Sequence, residues 1–150
     1  CATLGGAHTE GNPNVNLYFT TASRFEAIEP NYVSGNNGFF WTAISSNAIV
    51  RANVFVKKTL SGNTRKHYLR EEVTQMLGLM NDSDIYTDSI FRQSSSTVTE
   101  YSEIDKKIIS MLYNESVTPG MSWSEAKSAV MTSRYIAGSR WSLNSETSNA

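Results

Sequence analysis

The stretch Ala48 to Lys57 constrains the fold more than any other part of the chain. It holds neither glycine nor proline. Ile49, Arg51, Asn53 and Phe55 fall on one side of an extended backbone, and Val50, Ala52, Val54 and Val56 on the other. Strand side chains point alternately to opposite faces, so the segment predicts a strand with one face buried. Phe39 to Ile44, rich in aromatic and β-branched residues, predicts a second strand, and Leu17 to Thr20 a short third one. Dense turn signals at residues 30–38 (PNYVSGNNG) and at Ser61-Gly62-Asn63 separate these segments from their neighbours.

Beyond Ser61 the period changes. Leu69, Val73, Met76, Leu77 and Met80 share one helical face, which predicts a helix over residues 65–79 ending near Gly78. Ile104, Ile108, Met111 and Leu112 repeat the pattern over 101–113. A further helix over 122–137 opens on Ser122-Trp123-Ser124-Glu125, a capping-box pattern, after the break at Pro119-Gly120, and Gly138 can end it. Strands first and helices afterwards predict an α+β domain: a small antiparallel or mixed sheet followed by about three helices.

Composition narrows the function. With 39% hydrophobic residues the chain can build a core, and its 150 residues suit one domain. The 13 basic and 14 acidic residues leave a net charge of -1, too little for a field that would gather nucleic acid. The Lys57-Lys58 and Arg65-Lys66 pairs are too small to form such a patch. No apolar run reaches the length of a membrane span. No nucleophile-elbow, phosphate-loop or dinucleotide pattern is present. His8 lies in a Gly-, Asn- and Thr-rich stretch, residues 1–16, that reads as a tether. The body is then 17–141 and the polar tail 142–150. The single cysteine, Cys1, is expected to carry a lipid that anchors the domain to a bacterial envelope membrane.

The segment that points to chemistry is Glu71-Glu72-Val73-Thr74-Gln75-Met76-Leu77-Gly78-Leu79-Met80-Asn81-Asp82-Ser83, followed by Ser89-Ile90-Phe91. It resembles the active-site helix and Met-turn of matrixin-type zinc peptidases. In those enzymes two histidines one helical turn apart and a third ligand beyond a turn glycine leave an open fourth position on the metal. Glu72 matches the general base and Gly78 the turn glycine. Glu71, Gln75 and Asn81 stand where the resemblance puts the metal ligands, and Phe91 stands for the methionine. The same string is similar to a proteobacterial domain family of unknown function, some of whose members are described as lipoproteins. That likeness runs over residues 38–122 and takes in Asp105, Leu112-Tyr113-Asn114 and Pro119-Gly120-Met121.

The resemblance implies an abbreviated zincin-like domain that has lost catalysis, with no cofactor. Neutral amides do not offset the dehydration of Zn²⁺. Glu72, without an activated water, is expected to make a helix-dipole contact or a backbone hydrogen bond. His67 with Glu71 is a weak zinc candidate. Asp82, Asp84 and Asp88 are weak calcium candidates, with backbone capping as the plainer expectation. The expected role is a non-catalytic lipoprotein of the outer membrane, facing the periplasm or the cell surface. It would be a structural or assembly subunit of an envelope complex of flagellar, pilus or secretion type, associating with other subunits or with copies of itself and not with nucleic acid. The rival expectations are a zinc metallohydrolase with atypical ligands, and a small-ligand or peptidoglycan-binding domain with an aromatic cleft using Trp41, Tyr68 or Trp123.

Overall fold

The computed structural model describes residues 14–94 and 96–132. Cys1, His8, most of the expected tether, Gly138 and the polar tail lie outside the described residues. The elements are β1 (Val15–Thr20), α1 (Ala22–Ile28), β2 (Gly38–Ser45), β3 (Ala48–Lys57), α2 (Gly62–Gln75) and α3 (Glu103–Leu112). A fourth helix, α4, covers residues 123–132. The architecture is α+β, with a mixed sheet in the order β1-β3-β2: β1 runs parallel to β3, and β2 antiparallel to it.

The strand at Ala48–Lys57 has the boundaries expected from its alternation, but its burial is different. Ala52, Val54 and Val56 on one face are buried, and so is Phe55 on the other. The sheet is covered on both sides at this end. On one side Phe55 packs with Phe25 of α1 and Tyr32, and Tyr18 stacks on Phe55 with ring centroids 4.9 Å apart. On the other, Ala52 and Val54 pack with Met76, Val73, Leu77 and Phe40. Offset and edge-on ring pairs of this kind add to the burial of area. The expected single buried face is therefore corrected. A short helix not expected from the sequence, α1, closes the second face, with Phe25 as its one buried side chain.

Val15 and Asn16, read as the end of the tether, belong to β1 and pair with Ala52 and Asn53. At the turn between β2 and β3, Ser46 and Asn47 adopt positive φ, at 50° and 62°. Both central residues of a tight hairpin turn take that conformation, because its twist matches the strands it joins.

Helix α2 stops at Gln75, not at residue 79. Leu77 N–H and Gly78 N–H close tight turns on the carbonyls of Thr74 and Gln75, and Gly78 has φ of 125°. A Cβ at Gly78 would lie 3.2 Å from Leu112 at the end of α3, so the glycine serves both conformation and close approach.

Candidate functional site

Helix α2 buries polar residues. His67, Glu71, Glu72, Thr74 and Gln75 are all buried, although only Met76 of its expected apolar stripe is. A charge or amide taken from water costs free energy unless its partners replace the water, so each of these groups must be accounted for.

Most have partners. His67 Nδ1 lies 2.8 Å from the carbonyl of Val98; a carbonyl only accepts, so Nδ1 carries the proton. His67 Nε2 then faces Glu71 Oε2 at 3.4 Å. Thr74 Oγ1 donates to the carbonyl of Arg70 at 2.6 Å and meets the Tyr101 hydroxyl at 2.7 Å. Gln75 donates its side-chain amide to Asp82 Oδ1. Segment 96–101 is thereby laid along α2, with Arg70 over the ring of Tyr101 at 5.0 Å and paired with Glu100.

Glu72 is the exception. It is 7% exposed and has no hydrogen bond or ion pair among the described residues. It sits within the C-terminal half of α2, away from the helix N-terminus, so the expected dipole contact or backbone hydrogen bond is corrected. Its carboxyl occupies the space that a Cβ at Gly38 would need. Burial first, then the charges of Glu71 and Asp82, push the Glu72 carboxyl up to about 9. Burial and then Asp82 push Glu71 up to about 8. Asp82 is raised by burial, against the pull of its hydrogen bond from Gln75. Glu71 and Glu72, adjacent and buried, cannot both ionise cheaply, whereas Asp82 is itself exposed.

Two of the three positions that the zinc-peptidase pattern assigns to ligands are engaged with neighbouring side chains. Glu71 faces His67, Gln75 is bonded to Asp82, and Asn81 is exposed. Among the described residues no group of three or more His, Cys, Asp or Glu side chains could hold a metal ion. This donor set, two neutral amides and a single carboxyl already facing His67, does not fit zinc. The calcium candidates diverge as well. Asp82 accepts from Gln75, Asp84 accepts from Ser94 N–H at 3.0 Å and lies 3.8 Å from Arg92 Nε, and Asp88 is exposed.

The scaffold half of the motif has a separate centre. Asp105, fully buried, accepts from Ser89 Oγ at 2.6 Å, from Ile90 N–H at 3.0 Å and from Ser102 N–H at 2.9 Å. Ser102 in turn accepts from Asp105 N–H, completing a capping box at the start of α3. The Ser89-Ile90-Phe91 turn, buried throughout, is pinned to α3 by that one carboxylate.

Two cavities flank Glu72. One, of about 370 Å³, lies between β2 and α2 and is lined by Phe40, Trp41, Glu72, Gln75, Met80 and Asp82, among others. The other, of about 320 Å³, brings His67, Tyr68, Glu71 and Arg92 to the far side of Glu72, Gln75 and Asp82. A larger groove of about 970 Å³ lies at the opposite end, between β3, the turn after α2 and α4, with Trp123 on its wall. Trp41, Tyr68 and Trp123 therefore line three different cavities. Gly38 joins the α2 cluster although the motif did not point to it, and Asp82, inside the motif segment, joins it as the acceptor of Gln75. Asp82 was readable only as a loop carboxylate, and nothing in the local sequence ties Gly38 to Glu72.

A family model described as a protein of unknown function, DUF2927, matches residues 3–132. The chain belongs to this family. The match takes in every described element and the whole Glu71–Phe91 segment, so the acid cluster and the Asp105 node lie within one family domain. No curated protein matches the chain, and no solved structure does.

Proposed function

We propose that this chain is a non-catalytic recognition module, a degenerate zincin-like domain that acts as a lipid-anchored assembly subunit of the bacterial cell envelope. In this reading the cleft beside α2 receives a segment of a partner subunit. One observation carries it: Glu71 and Gln75, at two of the peptidase ligand positions, are spent on His67 and Asp82, while the cleft between β2 and α2 stays open to solvent through Trp41, 44% exposed, and Met80, 38% exposed. A site that kept its catalytic role would present an uncommitted donor triad and an ionised base. Here Glu72, in the general-base position, is a carboxyl pushed up to about 9 by burial and by its acidic neighbours.

The near-neutral charge and the family match to a domain of unknown function are consistent with a binding role and name no partner. Affinity isolation of the protein from detergent-solubilised envelopes, with mass spectrometry, tests the assembly reading. It expects a stoichiometric partner or a homo-oligomer, and recovery of the protein alone contradicts it. About one equivalent of tightly bound zinc, lost on substitution of Glu71 or Gln75, would instead favour a hydrolase. Metabolic labelling with a fatty-acid probe, lost in Cys1→Ser, tests the anchor.

A further inference from the structure

The cavity between β2 and α2 combines features that point to one ligand chemistry. Glu72 is 7% exposed and has no hydrogen bond or ion pair among the described residues, and it lines both of the cavities that flank it. Asp82 lines the same cavity with Gln75 bonded to it, so its second oxygen remains to be used. Trp41 and Met80 border the cavity and are 44% and 38% exposed, although large apolar side chains gain by burial. An indole face and carboxyls around one space form a set that attracts a cation, through the ring quadrupole on one side and ion pairing on the other. The nearby cation Arg92 does not fill the role. It lines the cavity on the other side, where its Nε is buried without a hydrogen bond and lies 3.8 Å from Asp84.

We infer that the cleft bordered by Trp41, Glu72 and Asp82 binds a guanidinium group carried on an extended segment of a partner polypeptide. The inference rests on the reading of this cleft as a recognition site and names what it recognises. A planar guanidinium stacks on an aromatic ring and meets carboxylates with paired hydrogen bonds, which an ammonium does less well. A cavity of about 370 Å³ has room for one such side chain. The extended segment follows from β2. Among the described residues it has a single sheet neighbour, β3, and its free edge runs along the cavity through Phe40, Trp41 and Thr42. An open edge offers backbone groups to a partner strand.

The test uses the whole protein and short acetylated, amidated peptides with a central arginine, lysine, citrulline or glutamate. Binding is read from backbone amide shifts of Phe40 and Thr42. The expected result is saturable binding of the arginine peptide, weaker binding of the lysine peptide, and none of the citrulline or glutamate peptides. Glu72→Gln and Trp41→Ala should each weaken the arginine peptide by at least about tenfold while leaving the remaining amide spectrum folded. Trp123→Ala, in the distant groove, should leave it unchanged. Equal binding of arginine and citrulline peptides overturns the charge requirement, and equal binding of the peptide and free methylguanidinium overturns the polypeptide source. The two readings fail separately. Recovery of the bare protein from envelopes, with arginine-peptide binding intact, defeats the assembly role and leaves this inference standing. Recovery of a partner equally well by the wild type and by Glu72→Gln does the reverse.

Discussion

Two buried carboxyls, Asp105 and Glu72, lie on neighbouring parts of one motif and live under opposite conditions. Asp105 accepts from one hydroxyl and two backbone amides, and every donor belongs to a turn or helix end that needs an acceptor. Glu72 has no donor among the described residues and has acidic neighbours instead. Burial is much the same at both sites, so burial does not separate them; satisfaction does. A carboxylate with a full set of hydrogen bonds holds structure together. One left unmatched beside other acids weakens the fold. The two carboxyls thus mark a structural node around Asp105 and a candidate recognition site around Glu72.

The largest effect should come from breaking the satisfied side. Asp105→Ala leaves Ser89 Oγ and the amides of Ile90 and Ser102 without their acceptor, and should cost about 3 kcal/mol or more in chemical denaturation. Gly38→Ala comes next. Its Cβ needs the space held by the Glu72 carboxyl, so the variant should lose about 1–3 kcal/mol, and Glu72→Ala in the same chain should restore part of the loss.

A third effect is on pH dependence. Glu71 and Glu72 have folded-state values of about 8 and about 9, against 4.5 as the ordinary value. The folded protein then holds more protons than the unfolded chain above the ordinary carboxyl range, and stability falls as pH rises. The contribution of these two groups is fully present below 4.5 and is lost as pH rises through about 8 to 9. The melting temperature should decline between about pH 5 and about pH 9, and Glu72→Gln should flatten that decline. Asp84, Glu103 and Glu125 are lowered by their hydrogen bonds, so their effects fall at acid pH, outside this window.

What could be read from the sequence follows the range of the forces involved. The limits of β3 were readable because alternation is local. Its double-sided burial was not, because Phe55 is covered by Phe25 and Tyr32 from elsewhere in the chain. Helix α2 was expected to run on because Leu77 and Met80 continue its period, yet the tight turns before Gly78 end it and Met80 faces the cleft. Helix α1 was missed because one buried phenylalanine and an N-cap without a side-chain hydrogen bond leave no pattern. In the site, the run along α2 was visible in the motif. Its closure by Asp82, Gly38 and Trp41 depends on tertiary packing, which local spacing does not encode. The Asp105 node did carry a signal in Ser102 and Asp105, at the spacing of a capping box.

The most direct test of the contrast is a side-by-side denaturation of Asp105→Asn and Glu72→Gln near neutral pH. Each removes one carboxyl and keeps its shape. The account expects Asp105→Asn to lose stability clearly, by about 1–3 kcal/mol, and Glu72→Gln to be as stable as the wild type or more so. Equal destabilisation of the two would mean that Glu72 supports the fold as Asp105 does, and the division between structural node and recognition site would be wrong.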